Sequence, residues 1–437
     1  MLQEGPDTPD SGAKLRRELG LAAVTLSGVG IILGAGIYAL LGEAAGMAGN
    51  AVWLTFAIAA AIAGFSALSY AELSSMYPRA GAEFEYVFHA FGEKLAFVVG
   101  WLIIFSGILG AATVSLGFAG YFSDFVGFPL IPSAILLLII LAGILLSGIK
   151  ETAGAAIIMT LIEVGGIVMV ILIGLPYIGR VDYFEMPFGV AGLLQASALV
   201  FFAYMGFEEM VKLSEETRNP EKIIPRALII ALAISILLYV LVSLAAVSVV
   251  GWEQLAVSRA PFAEVASVAL GPAAFTLISV IALFATANTA LLMMMASSRI
   301  LYGMASSTTL PPLLARVHPR TRTPWVAIVA VVLASMAFLF AGEISFVANV
   351  TNFTLFVTFV VINASVILLR YRAPDTVRPF RIPGAIGSLP IIPVLGVVSS
   401  LFLLAQLDAL VLLVGGVLVV IGAGIALAGH RGPRGGA

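Results

Sequence analysis

Two kinds of residue could do chemistry here, because both sit where their surroundings offer them no help: glycines and carboxylates inside long apolar runs. The stretch Gly28-Val29-Gly30-Ile31-Ile32-Leu33-Gly34-Ala35-Gly36-Ile37-Tyr38 places four glycines within a run long enough to cross a bilayer. Each glycine weakens a helix by about 1 kcal/mol relative to alanine, and in lipid any freed backbone group must find a partner inside the protein. The Gly-x-Gly-x-x-x-Gly-x-Gly spacing is not that of a dinucleotide-binding turn, and no strand precedes it. Two readings follow. Gly30 and Gly34 let another helix approach closely, as small residues do in membrane helices; or Gly34-Ala35-Gly36 unwinds and its amides receive an anionic group such as a carboxylate.

The carboxylates are the second kind. Glu163 lies in Thr160-Leu161-Ile162-Glu163-Val164-Gly165-Gly166, near the middle of an apolar run. An acid at that depth costs about 2.5 to 3.5 kcal/mol on insertion scales, so it needs a partner, water or a proton. Glu208 abuts a second glycine interruption, Phe201-Phe202-Ala203-Tyr204-Met205-Gly206-Phe207-Glu208-Glu209. Thr286 and Thr289 add hydroxyls that could join a cation site, although threonines in helices commonly bond back to their own turn. Glu72, Glu83, Glu85 and His89 cluster after another apolar run, but their spacing fits no metal-ligand pattern, and a solvated turn is expected there.

Enzymatic chemistry finds little support. There is no cysteine, which excludes thiolate catalysis, disulfides and Cys-based metal sites. The three histidines, His89, His318 and His430, fall in separate segments with no nucleophile elbow or zinc motif beside them. A channel would call for a filter sequence that is not seen. No metal and no cofactor is expected.

The elements that must position these residues are membrane helices. Of 437 residues 61% are hydrophobic and 11% charged, with mean hydropathy +1.11, against about 25% charged in a soluble domain. Net charge −2 argues against nucleic acid as a partner; the partner is the lipid bilayer. Apolar segments fall at about 20–46, 50–76, 95–122, 132–149, 153–177, 190–211, 226–250, 271–303, 324–341, 345–370, 388–406 and 409–429, twelve expected spans. The run from Gly20 lacks a small-residue cleavage site and is expected to remain as the first span. With both termini cytoplasmic, inside segments carry twenty Lys and Arg and outside segments only Arg180 and Arg259, the asymmetry of the positive-inside rule.

The interruptions near Gly34 and Gly206 are five spans apart. Five is odd, so the second set of five enters the membrane inverted, which points to an inverted-repeat secondary transporter. The expected fold is an all-α polytopic membrane protein with repeats of helices 1–5 and 6–10, broken helices 1 and 6, and two peripheral helices. In residues this means a flexible cytoplasmic segment 1–19, repeats 20–177 and 178–370, helices 11 and 12 with their preceding loop at 371–429, and a tail at 430–437.

Gly28–Tyr38, Ser69–Glu83 (Ser-Tyr-Ala-Glu-Leu-Ser-Ser-Met-Tyr-Pro-Arg-Ala-Gly-Ala-Glu), Phe201–Glu208, Glu215–Pro220 and Arg299–Met304 with Thr323-Pro324 together resemble amino acid permeases of the amino acid–polyamine–organocation superfamily. The resemblance covers about residues 14–385. It implies the inverted-repeat fold and a substrate site in which Gly34, Ala35 and Gly36 hold the carboxylate of an amino acid. The carbonyls of Ile32, Phe202, Ala203 and Met205 would hold its ammonium, with Phe202 as an aromatic lid and Phe207 nearby. Several proton-coupled members place a lysine on helix 5 where this sequence has Glu163. Glu163, with Glu208 assisting and Thr286 and Thr289 nearby, is therefore the expected coupling-ion site. Cation-selective members commonly carry an acid on helix 3 where the count from Trp101 gives Ser106, so a neutral or broad-range amino acid is favoured.

The function so implied is proton-coupled amino acid symport in the plasma membrane of a prokaryote. Sodium coupling and amino acid/amine exchange are the alternatives, and an integral-membrane enzyme is the reading from another class. The substrate and the oligomeric state are left open.

Overall fold

The computed structural model describes residues 19–79, 81–258, 260–306, 310–340 and 344–428. The expected flexible N-terminal segment up to residue 18, and the tail from 429 with His430, lie outside them, as does Arg259. Among the described residues the regular structure is helical apart from one two-stranded ribbon, β1 Ala385–Ile386 and β2 Leu389–Pro390, and a single bridge between Leu19 and Thr217.

The first apolar run folds as two helices, α1 Leu21–Ile32 and α2 Ala35–Ala48. There follow α3 Val52–Met76, a short α4 Ala82–Phe91, α5 Glu93–Val126, α6 Leu130–Ser147 and α7 Ile149–Gly174. A second interrupted run starts with α8 Gly189–Val200 and continues as tight 3-10 turns over Phe201–Tyr204 and Phe207–Glu216. Then come α9 Pro220–Val257, a short α10 Pro261–Leu270, α11 Pro272–Ser306, α12 Trp325–Phe338, α13 Ile344–Arg372, α14 Ile391–Leu404 and α15 Ala409–Ala428. Proline at the first helical position starts α9, α10 and α11, where its missing N–H costs nothing and its fixed φ suits the helix.

Among the described residues ten helical segments are long and apolar enough to cross a membrane. The other two expected spans, 324–341 and 388–406, coincide with α12 and α14, which have 14 residues each; at 1.5 Å per residue that is roughly 21 Å against a hydrocarbon core of about 30 Å. The sequence did not single out α4 or α10.

Close approach is built from small residues. The long helices α5 and α11 lie against each other with Gly100 under Met304, Gly107 under Ser297 and Gly110 under Met293, where an added Cβ would overlap the facing side chain. Lipid offers no hydrophobic drive to pair helices, so such contact and buried hydrogen bonds must hold them. Asn363 of α13 supplies the bonds between α13 and α3: Ser69 Oγ donates to its Oδ1 at 2.6 Å and its Nδ2 donates to Ser66 Oγ at 3.0 Å.

Candidate functional site

The two interruptions meet. Leu33 and Gly34 are the only non-helical residues between α1 and α2, and Gly34 leaves the helical region with ψ −158°. The break is narrower than the expected Gly34-Ala35-Gly36, since Ala35 already begins α2. The first N–H groups of a helix have no intrahelical acceptor, so Ala35 and Gly36 still present donors at the positive end of α2. In the second run, Met205 is extended and Gly206 takes φ 112°, a region a side chain disfavours. Gly36 lies on Ala203 so closely that a Cβ would come within 2.5 Å of its Cα, and Gly206 lies on Ile31. Gly34 abuts Thr289 of α11, with no room for a side chain.

The carbonyls freed at both breaks converge on one group that the sequence reading missed. The Tyr239 hydroxyl of α9 lies against the carbonyl oxygens of Ile32 and Ala203, the second at 2.8 Å. One hydroxyl has one proton, so it cannot satisfy both, and acceptor capacity remains there. The carbonyl of Phe202 already accepts the Met205 N–H at 3.2 Å. A lone tyrosine in the apolar run 226–250 was the available signal, because a buried phenol needs a partner.

Of the expected binding residues, Ile32, Gly34, Gly36, Phe202, Ala203 and Met205 are buried around this meeting point. Phe201 belongs to the core, its ring 4.9 Å from that of Phe356. Phe207 sits further along, its ring 5.7 Å from Tyr70 and 5.3 Å from Phe359. Ser106 of α5 is buried.

Glu163 of α7 is completely buried. Its Oε2 accepts a long hydrogen bond, 3.4 Å, from Asn288 Nδ2, which also donates to Thr160 Oγ1 at 3.0 Å. Among the described residues its Oε1 has no hydrogen-bond partner, nor has Asn288 Oδ1. Tyr38 of α2 donates to the Glu163 backbone carbonyl at 3.1 Å, which joins α7 to the segment beyond the first break. Asn288 was also missed, although it lies between the two threonines already singled out and an amide at that depth needs partners. Thr286 donates to Ala282 O at 2.8 Å and Thr289 to Ala285 O at 3.2 Å, the bonds back to their own helix. Glu208 is buried, and its Oε2 accepts the Gly206 N–H at 2.9 Å, capping the second break.

The acidic turn after α3 differs from expectation. Glu85 and His89 are partly exposed, 3.7 Å apart, but Glu72 and Glu83 are 1% exposed. Both went inside because cations from distant segments reach them. Arg370 Nε and Nη2 donate to Glu72 at 3.0 and 2.6 Å, and Lys212 Nζ lies 4.0 Å from Glu83 Oε1. No group of three or more His, Cys, Asp and Glu among the described residues could hold a metal ion.

A sequence profile described as amino acid permease matches residues 19–426. The branched-chain amino acid permease of Bacillus subtilis (strain 168) is 32% identical over 422 residues, covering 91% of this chain and 90% of that protein. The methylthioribose transporter of the same organism is 30% identical over 406 residues, 87% of this chain and 86% of its own. The vacuolar cationic amino acid transporter 2 of Arabidopsis thaliana is 32% identical over 391 residues, 83% of this chain but 61% of that longer protein.

Proposed function

The chain belongs to the amino acid permease family, and from that premise we propose that it carries amino acids across the plasma membrane of a prokaryote by alternating access, driven by protons. It is a multi-pass membrane protein whose named relatives are transporters rather than enzymes. The observation that carries the reading is the meeting of the two breaks in the buried core, with the Ile32 and Ala203 carbonyls facing one hydroxyl. A zwitterion has the matching polarity. Its carboxylate goes to the amides that open α2 and its ammonium to the carbonyls, so the Tyr239 proton is displaced from at least one of them.

Twelve spans, ten of them in two inverted five-helix repeats and two peripheral, with both termini cytoplasmic, complete the proposal, α12 and α14 being the shorter two. Supporting the repeat, α4 follows the second span and α10 the seventh, the same interval of five that separates the breaks. Substrates are neutral or broad-range amino acids. Ser106 stands where cation-selective members carry an acid, and one relative is named for branched-chain amino acids.

Protons couple through Glu163. An ionised carboxylate buried with one oxygen unpartnered is costly, and Glu163 Oε1 and Asn288 Oδ1 are two acceptors without a donor. A proton on Glu163 supplies that donor, and its arrival is felt beyond the first break through Tyr38. Glu208 assists from the second break, and Thr286 and Thr289 flank the site.

Uptake of labelled amino acids into proteoliposomes, with proton and sodium gradients imposed separately, tests the proposal. Accumulation of a neutral amino acid under a proton gradient is expected, and Glu163→Gln is expected to abolish the dependence on that gradient. Uptake driven by sodium alone, or only by exchange, would overturn the coupling assignment. Proton-driven uptake by Glu163→Gln would move the coupling elsewhere.

A further inference from the structure

The second half of the interrupted helix carries an acid-rich cluster that the site above shares only through Glu208. Lys212 is 8% exposed, and its Nζ donates to Glu209 Oε1 at 2.6 Å and lies 4.0 Å from Glu83 Oε1 of α4. Tyr70 of α3 donates to the same Glu83 oxygen at 3.4 Å. Glu208 is the third acid of this group, buried as Glu83 is, while Glu209 is partly buried. One cation thus stands among three carboxylates contributed by two elements, with tyrosines from α3 and α4 around them. Among the described residues Glu209 Oε2 has no hydrogen-bond partner. The fully buried Tyr86 of α4 likewise has no partner for its hydroxyl among them and feels the charges of Glu83 and Glu85. With three acids to one cation among the described residues, the cluster is short of positive charge, which a proton on one carboxylate would supply.

Among the described residues the other charges around α4 do not make up the deficit. Arg79 and His89 lie at 3.7 Å from Glu85 on the outer face. Glu93 and Lys94 of α5 are exposed. From α13, Arg372 donates to Ala90 O at 3.3 Å, and Arg370, with Arg378 from the loop after it, is committed to Glu72.

We propose that Glu83 is a second proton-binding site, which takes up a proton as the cytoplasmic side closes and releases it when α4 and the Phe207–Glu216 segment separate. The proposal rests on the alternating-access reading and concerns the gate rather than the substrate site. Burial pushes the Glu83 carboxyl up to about 7, with Lys212 pulling it down and Glu209 pushing it up. Separation hydrates Glu83 and returns it to the ordinary carboxylate range. The sign follows: the closed state holds the proton, so it is favoured at low pH. It loses ground as pH rises from about 4.5 towards about 7 and no further above that.

The chain has no cysteine, which makes single-cysteine labelling of the full-length protein in detergent a direct test. Ser214→Cys reports a position buried in the closed state, and Ser388→Cys an exposed one that corrects for thiolate fraction. The ratio of their maleimide labelling rates is expected to rise at least about tenfold from pH 5 to pH 8, the change that one unit of differential pKa makes in an equilibrium. Glu83→Gln should leave the ratio low and flat. Lys212→Met, which removes the group that favours the ionised form, should move the midpoint to higher pH. A flat wild-type ratio, an unaltered slope in Glu83→Gln or an unmoved midpoint in Lys212→Met would each overturn the proposal. Should Glu83→Gln not fold, the Lys212→Met midpoint decides alone. No substrate is present in the measurement. Lack of amino acid uptake in proteoliposomes with these labelling curves intact would therefore reject the transport reading and leave the proton site standing.

Discussion

Two buried ion clusters lie at the end of the molecule where α3 and α13 finish, and their charge balance is opposite. Around Glu72 there are two cations for one acid. Arg370 grips both carboxylate oxygens, the Ile382 N–H adds a bond at 2.8 Å, and Arg378 Nε lies 3.3 Å away. Arg378 in turn donates to the carbonyls of Leu369, Ala373, Pro374 and Thr376, closing the end of α13 and the loop after it. Around Lys212 there are three acids for one cation, the contact to Glu83 is long, and an oxygen of Glu209 is left over. A bidentate arginine fixes geometry, whereas an ammonium on a flexible stem is a point charge that can let go. The first cluster is built to stay shut, whereas the second can separate once its proton leaves.

The largest expected effect breaks the first cluster. Arg370→Met leaves Glu72 buried with its main partner gone, a change that typically costs about 3 to 5 kcal/mol, so the thermal unfolding midpoint in detergent should fall steeply. Lys212→Met should lower it far less, because Glu83 can take a proton and so lose its charge. Equal losses in the two variants would erase the distinction.

A smaller effect comes from a tether with no charge. Tyr239→Phe removes the hydroxyl facing Ile32 and Ala203. A net hydrogen bond is worth about 1 kcal/mol, so stability should drop modestly. Uptake should fall about tenfold, the equivalent of 1.4 kcal/mol, if the hydroxyl also sets the distance between the breaks. Unchanged uptake would make Tyr239 a packing residue.

Much of this was legible in the chain. Glycine in an apolar run marked both breaks, although close helix packing uses the same residue, and Glu163 stood out as an acid at the middle of such a run. The limits were physical. Tyr239 and Asn288 are single polar residues whose meaning depends on which helix faces them, and that is decided by packing some 200 and 125 residues away in sequence for Ile32 and Glu163. Glu72 and Glu83 read as a solvated turn because local spacing shows only acids. Their cations arrive from residue 370 and residue 212, and a carboxylate is buried or wet according to whether such a partner reaches it.

The smallest predicted effect separates that partner logic from mere position. Glu83 and Glu85 are two residues apart on α4 and differ chiefly in what surrounds them. Glu85 pairs with Arg79, whose side chain is 70% exposed, at 3.7 Å, and with His89 at the same distance. Pairs of that kind contribute about 0 to 1 kcal/mol at most and are screened by salt. Glu85→Gln should therefore shift the unfolding midpoint barely at all, and what shift there is should vanish in high salt. It should leave the pH dependence of Ser214→Cys labelling as it is in the parent, since Glu85 is already partly exposed and has the Arg79 guanidinium beside it. Loss of that pH dependence in Glu85→Gln would mean that the helix as a whole, rather than the buried pocket on one face of it, carries the response.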